Sequence, residues 1–577
     1  MRDTLGRLHH RTRLLGAVRS GAVLLLTLSM GALEACGAGG AGYGGAYGAG
    51  GGFGRRDERQ FIGSFADVRA MGISRRYVFS GTPSGIAIYD RLLSAWLPPF
   101  TRDLGFGDDR ITALAGDPVE DALWYGVPGA VVIYRPATEQ VQRTIISGVP
   151  DAIVFERGGT GTGDALVRAS GAWTRVSRVG ITTPLMGPPA PSSVVVPATI
   201  GDVYERFPGL RAGAGLLLRD GESGQRADRA LRDFAVTAGT ILPERASEVW
   251  LGTNGDGMYR VDPTFQQATA LRFGPIESGI GALALAADGV WAASLGTSAL
   301  RGGLSFARDD LQRWRWIDGT ISVPMIGVRA NAMSIRAERA WIATDRGVVR
   351  ARLDASSELF AWTALSGLPD DRVFAVAARD DGAWVGTARG LVWVSDSARN
   401  TRTRGIGTRL LDNVPVYALR FMGDTLWAGT ASGLVTVFPT SDVAEGMRVG
   451  DTMTRDPALR GAVRALAWND TVMLAATDDA VVAISTRGTR RFSRMAGLDP
   501  RQTGAGARLA VDDRTIVLTG ADGVVVYTRA TSAPRLLRVP LDIPAPVLDV
   551  AMSRDWIWLA TPLGIARFRR SSDGGVP

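Results

Sequence analysis

The chain has 577 residues and 46% hydrophobic content, too long for one compact core, so several domains or a repeat array are expected. All 65 basic residues are arginine, the only histidines are His9 and His10 and the only cysteine is Cys36, which excludes Schiff-base lysine, a phosphate-loop lysine and, past residue 10, histidine-based catalysis and imidazole-ligated zinc. The net charge of +8 falls to +5 once Arg2, Arg7, Arg11, Arg13 and Arg19 are set aside with Asp3 and Glu34, and the remaining arginines are interspersed with carboxylates, so no nucleic-acid partner is expected.

Residues 1–35 are read as an export signal: arginine-rich at the start, apolar from Gly21 to Leu33, small near Cys36. Thirteen apolar residues make about 20 Å of helix, well short of the roughly 30 Å of a bilayer core, so cleavage is expected and not a retained span. The stretch Leu33, Glu34, Ala35, Cys36 resembles the lipobox of bacterial lipoproteins, with Glu34 departing from the usual small or apolar residue. The resemblance implies lipidation of Cys36 and a membrane anchor; Gly37, in place of aspartate, is similar to the outer-membrane sorting pattern. Residues 36–57 are rich in glycine, alanine and tyrosine, a composition that cannot offset its ordering entropy, and are read as a flexible tether spanning on the order of 25 Å.

From there one motif recurs: Trp, any residue, Gly or Ala, then Thr or Ser. Trp250, Trp291, Trp341, Trp384, Trp427 and Trp558 mark it, with weaker copies at Phe79, Trp124, Leu474 and Val517. From Trp250 onward the steps are 41, 50, 43, 43, 47, 43 and 41 residues, the size of a propeller blade. Around Trp427, Val416–Phe421, Thr425–Thr430 and Leu434–Phe438 read as three strands separated by tight turns, and a fourth fills the gap to the next unit. The tryptophan is expected to pack between neighbouring sheets, and Gly85, Gly347, Gly390, Gly433, Gly523 and Gly564 fall where a hairpin needs positive φ. The fold class is therefore all-β, tandem β-propellers of about 11 to 12 four-stranded antiparallel blades. A division into residues 58–290 and 291–577 is expected, with 180–235 either a degenerate blade, the favoured reading, or an insertion. A possible helix covers Asp228–Phe234. The last unit lacks a fourth strand, and Gln60–Phe65 is expected to complete it beside Ile565–Arg569.

These residues resemble the two-component regulator propeller repeat. Residues 384–391 read WVGTARGL and 427–434 read WAGTASGL, and the loop before the next blade appears as Gly367, Leu368, Pro369, Asp370. The matches cover roughly residues 75–180 and 236–568. The resemblance implies an extracytoplasmic sensor domain, here a stand-alone lipoprotein member lacking a kinase output. Loops at one face of such a propeller surround the channel mouth, which would present Asp108, Asp109, Arg110, Asn254, Asp256, Asp345, Arg346, Asp370, Asp371, Arg372 and Arg389 as a ligand rim. The competing reading is that these are turn residues chosen for backbone geometry. Neither a catalytic residue, a metal nor a cofactor is expected. The function expected is a non-catalytic, membrane-tethered propeller that binds a carbohydrate or protein at the cell envelope. The alternatives are a scaffold lipoprotein of outer-membrane assembly and a carboxylate-based polysaccharide lyase or glycosidase, which needs two carboxyl groups about 5 to 10 Å apart.

Overall fold

The structure, a computed structural model, describes residues 58–576 except 102–105, 107–109, 158–163, 211–216, 221–234, 243–247, 300, 320–324, 355, 397–405, 439–447, 453–456, 470, 486–491, 530–533 and 573. The export signal, Cys36, the tether, Asp108, Asp109 and the possible helix at 228–234 lie outside the described residues. The described chain is all-β, and its strands form eleven sheets. In chain order these are sheet 1 (residues 70–100), sheet 2 (113–145), sheet 3 (150–184), sheet 4 (236–271), sheet 5 (280–318), sheet 6 (330–362), sheet 7 (373–410), sheet 8 (416–452), sheet 9 (463–494), sheet 10 (508–538) and sheet 11 (549–569).

Each sheet is built on an antiparallel meander, because its short strands, many of them buried along their whole length, are joined by turns too tight for any crossover. The turn chemistry repeats. The hydroxyls of Thr82, Thr344, Thr387, Thr430 and Thr561 each donate to the carbonyl three residues on, at 2.7–2.9 Å, and accept the amide two residues on. The carbonyl partner in every case is a glycine in the left-handed region. Gly523 differs from these, since the same hairpin there forms without a left-handed φ. At Gly564 the requirement is also spatial: an added Cβ would lie 2.2 Å from the carbonyl oxygen of Ile62.

Sheets 5 to 11 follow one another around a closed cycle, and the motif residues make the seams. Trp291 packs on sheet 6, Trp341 on sheet 7, Trp384 on sheet 8 and Trp427 on sheet 9. Leu474 then packs on sheet 10, Val517 on sheet 11 and Trp558 back on Val290 and Ala292 of sheet 5. The closing seam carries a hydrogen bond from the Leu283 amide to the Asp549 carboxylate at 2.8 Å. The fourth strand of sheet 11 comes from the other end of the chain: Arg59–Ile62 pairs with Gly564–Arg569, Gln60 opposite Arg567 and Ile62 opposite Ile565. The pairing ends at Ile62, and Phe65 instead enters the core beside Phe273, with ring centroids 5.2 Å apart.

Sheets 1 to 4 form a second, smaller circuit. Phe79 of sheet 1 packs on sheet 2, Trp124 of sheet 2 on sheet 3, and Trp250 of sheet 4 on sheet 1. The described residues of 180–235 add to the sheets on either side of them. Thr182–Pro184 is the fourth strand of sheet 3, Val194–Val195 extends that sheet at its other edge, and Leu217–Asp220 adds to sheet 4 in parallel. Helix α1 (Ile200–Arg206) is started by a capping box between Thr199 and Asp202 and buries Val203 against Ile241, Val249 and Leu251 of sheet 4. The segment's prolines and lack of an anchor residue set it apart from the repeat.

The break between the two circuits falls between Leu271 and Ile280, not at 290–291, because Ile280–Ala286 is the innermost strand of sheet 5. The circuits share a core of Trp96, Trp250, Phe273, Trp314 and Trp558. The Gln312 amide also bridges both backbone groups of Trp96, accepting at 3.1 Å and donating at 2.7 Å.

Trp341 is fully buried against Val373, Val376 and Val385 of the next sheet. Trp341→Ala is expected to cost about 3–5 kcal/mol, measured as a lowered denaturant midpoint, whereas a substitution at exposed Leu365 should leave the midpoint unchanged.

Candidate functional site

The expected rim residues separate when the chain folds. Asp345, Arg346, Asp370, Asp371, Arg372 and Arg389 all lie in turns of sheets 6 and 7, and their groups are engaged in turn geometry. The Asp371 carboxylate accepts from the Ala364 amide at 2.6 Å and that of Asp370 from the Arg372 amide at 2.9 Å, while Asp345 accepts from the Arg329 amide at 3.0 Å. Arg346 and Arg389 are exposed, and each donates its amide to the preceding threonine hydroxyl. Arg110 is exposed on the approach to sheet 2, and Asn254 bridges to Asp67.

Asp256 is not a rim residue: it is fully buried. Arg301, 3% exposed at its side chain, donates to Asp256 at 2.5 Å and makes a bidentate pair with Asp318 at 2.6 and 2.7 Å. The guanidinium also lies over the Trp316 ring at 4.8 Å, and the Tyr259 hydroxyl donates to Asp256. This clasp joins sheet 4 to sheet 5, so it serves the contact between the circuits. Truncating Arg301 would strand a buried carboxylate; Arg301→Ala is expected to destabilise by about 3–5 kcal/mol in equilibrium unfolding, and Arg346→Ala by less than about 0.5 kcal/mol.

The concave site lies at the axis of sheets 5 to 11. In five successive innermost strands the ladder skips one residue, between 280 and 282, 330 and 332, 373 and 375, 416 and 418, and 463 and 465. The skipped residues are Gly281, Asn331, Phe374, Tyr417 and Arg464. A bulge leaves its extra residue unpaired and re-aims the side chain. Four of these five, with Arg329, Asp478 and Arg508, line a cavity of about 420 Å3 at the start of the innermost strands. A second cavity of about 380 Å3 shares Phe374, Tyr417, Arg464 and Arg508 and continues along the strands past Ser334, Arg420 and Asp549.

Two aromatic rings and a chain of guanidiniums define this channel. Phe374 and Tyr417 lie 5.5 Å apart at 44°. Arg464 covers Tyr417 at 4.5 Å and pairs with Asp478 through two bonds at 3.0 and 3.2 Å, contacts that raise its pKa. Burial pushes the Asp549 carboxyl above its ordinary value, and Arg508 pulls it partly back. Arg420 is exposed in the channel, and the protein groups packed around it draw its pKa down. Among the described residues no group of His, Cys, Asp and Glu could hold a metal ion.

Sequence reasoning looked for charged turn residues and passed over these strand residues. A signal was present: Asn331, Phe374, Tyr417 and Arg464 each stand ten residues before an anchor, at Trp341, Trp384, Trp427 and Leu474. That column alternates in chemistry, from polar to aromatic to cationic, where the rest of each repeat conserves its pattern of apolar positions.

No family model matches the chain, nor does any curated protein sequence. Among solved structures it is similar to PorZ, described as an essential bacterial surface component of the type-IX secretion system of Porphyromonas gingivalis, at 11% identity, 89% of this chain and 87% of that one, TM-score 0.49. It is also similar to the extracellular domain of the putative one component system BT4673 from B. thetaiotaomicron, at 13% identity, 87% and 69% coverage and TM-score 0.38. Virginiamycin B lyase from Staphylococcus aureus aligns with 51% of this chain and 96% of its own at 12% identity and TM-score 0.39. The assignment of the fold rests on the strand order and the closed cycle of seams described above.

Proposed function

We propose that the chain is a membrane-tethered, extracytoplasmic tandem propeller of four and seven blades that binds a carbohydrate or protein ligand at the channel of sheets 5 to 11 and does not transform it. The observation that supports this reading is the set of five bulges. The same skip occurs at the first strands of sheets 3 and 4, so it belongs to the repeat; in sheets 6 to 9 it places Asn331, Phe374, Tyr417 and Arg464 at one cavity. Aromatic faces beside a few converging polar groups are the make-up of a recognition site. The two carboxylates nearest the axis are engaged by protein groups, Asp478 by Arg464 and Asp549 by the amides of Leu283 and Val550, which favours binding over acid–base work.

Two experiments test the reading. The purified full-length protein is expected to be retained on a glycan array or to capture a protein partner without releasing reducing ends, and Tyr417→Ala should weaken that binding about tenfold at unchanged folded content. Release of reducing ends from a polysaccharide would overturn the non-catalytic assignment. In a bacterial host, palmitate labelling and membrane association should both be lost in Cys36→Ser; a protein that stays in the membrane fraction would refute the lipid tether.

A further inference from the structure

We infer that the channel of sheets 5 to 11 takes an acidic saccharide, with the sugar face on Phe374 and Tyr417 and its oxyanion reaching the guanidiniums of Arg508 and Arg420 deeper along the axis. The inference rests on the channel reading above and adds the charge of the ligand.

Four guanidiniums line the two connected cavities, those of Arg329, Arg420, Arg464 and Arg508, against the carboxylates of Asp478 and Asp549. The carboxylates do not neutralise the axis evenly. Asp478 is taken by Arg464, on the mouth side. Asp549 accepts from two backbone amides, so its charge is shared with the closing seam of the ring. Arg508 donates to its neighbour's carbonyl at 3.2 Å, and Arg420 and the exposed Arg329 have no acidic partner among the described residues.

An exposed cation with no acidic partner in the protein is open to an anion arriving from outside. Here the position is held by Arg420 in the innermost strand of sheet 8, three residues beyond Tyr417. An arginine fork offers two parallel donors to a carboxylate, sulfate or phosphate, geometry that suits an oxyanion arriving along the axis. The Phe374 ring and the part of Tyr417 that Arg464 leaves uncovered, half-buried and nearer the mouth, offer an apolar surface to a flat ring. Cavities of about 420 and 380 Å3 lie within the range of about 300–1,000 Å3 typical of small-ligand sites.

The test is an array of glycans matched in backbone and differing in charge, such as oligogalacturonates beside neutral galacto-oligosaccharides, followed by calorimetry of the full-length protein with trigalacturonate and, separately, inorganic phosphate. Acidic members are expected to bind at least tenfold more tightly than their neutral counterparts. Arg420→Gln and Arg508→Gln should each weaken trigalacturonate tenfold or more, and Arg420→Gln should fold with an unchanged Tm because its side chain is exposed. Equal affinity for acidic and neutral glycans, or binding untouched in Arg420→Gln but lost in Tyr417→Ala, would overturn the acidic ligand and leave the channel reading standing. Phosphate binding without any acidic glycan would also overturn it, assigning the site to a free anion. A protein partner bound equally by Tyr417→Ala and Arg420→Gln would overturn both.

Discussion

A single sheet of four short strands cannot bury both of its faces, and the architecture follows from how that problem is solved. In each of sheets 5 to 11 one residue of the second strand, an indole in five cases and Leu474 or Val517 in the others, lies against the apolar face of the next sheet. The contact is non-directional and scales with buried area, so an indole and a leucine can occupy the same place with different payloads. What the contact demands is a neighbour on both sides, and only a closed cycle provides one to every sheet.

Closure has two further devices. The strand Arg59–Ile62, which precedes sheet 1, completes sheet 11 from the opposite end of the described chain. Arg567, in the strand it joins, donates to Gln60 and to the Asp309 carbonyl and lies over the rings of Trp556 and Trp558. Burial draws that guanidinium down to about 9, with Asp309 and Asp310 opposing the shift, so it remains a cation at neutral pH. In the smaller circuit α1 packs on sheet 4 and the strand Val194–Val195 extends sheet 3. The Arg301 clasp and the shared aromatic core then join the circuits.

The same closure creates the channel, and the bulges decide its lining. Four of the five skipped residues, Asn331, Phe374, Tyr417 and Arg464, escape the pairing that would turn them to one face of their sheet and line the axis instead. A site built this way stands on strands held by their neighbours, so its aromatic rings and guanidiniums are positioned by the framework and not by mobile loops. The turn residues Asp370 and Asp371 spend their carboxylates on backbone amides.

Much of this was legible in the chain alone. The second and third strands of sheet 8 agree with the pattern around Trp427 almost to the residue, because alternation and turn chemistry are properties of short windows. The terminal strand that completes sheet 11 could be inferred from a missing partner. The sequence also excluded lysine and histidine chemistry outright. Tertiary structure alone decided that the described part of residues 180–235 extends sheets 3 and 4 and adds a helix, that the break comes before Ile280, that Asp256 is buried under Arg301, and that Arg420 and Arg508 share an axis with Phe374 and Tyr417. Those outcomes depend on which sheets become neighbours when a cycle closes and on where a ladder slips by one residue, both settled by contacts between segments distant along the chain.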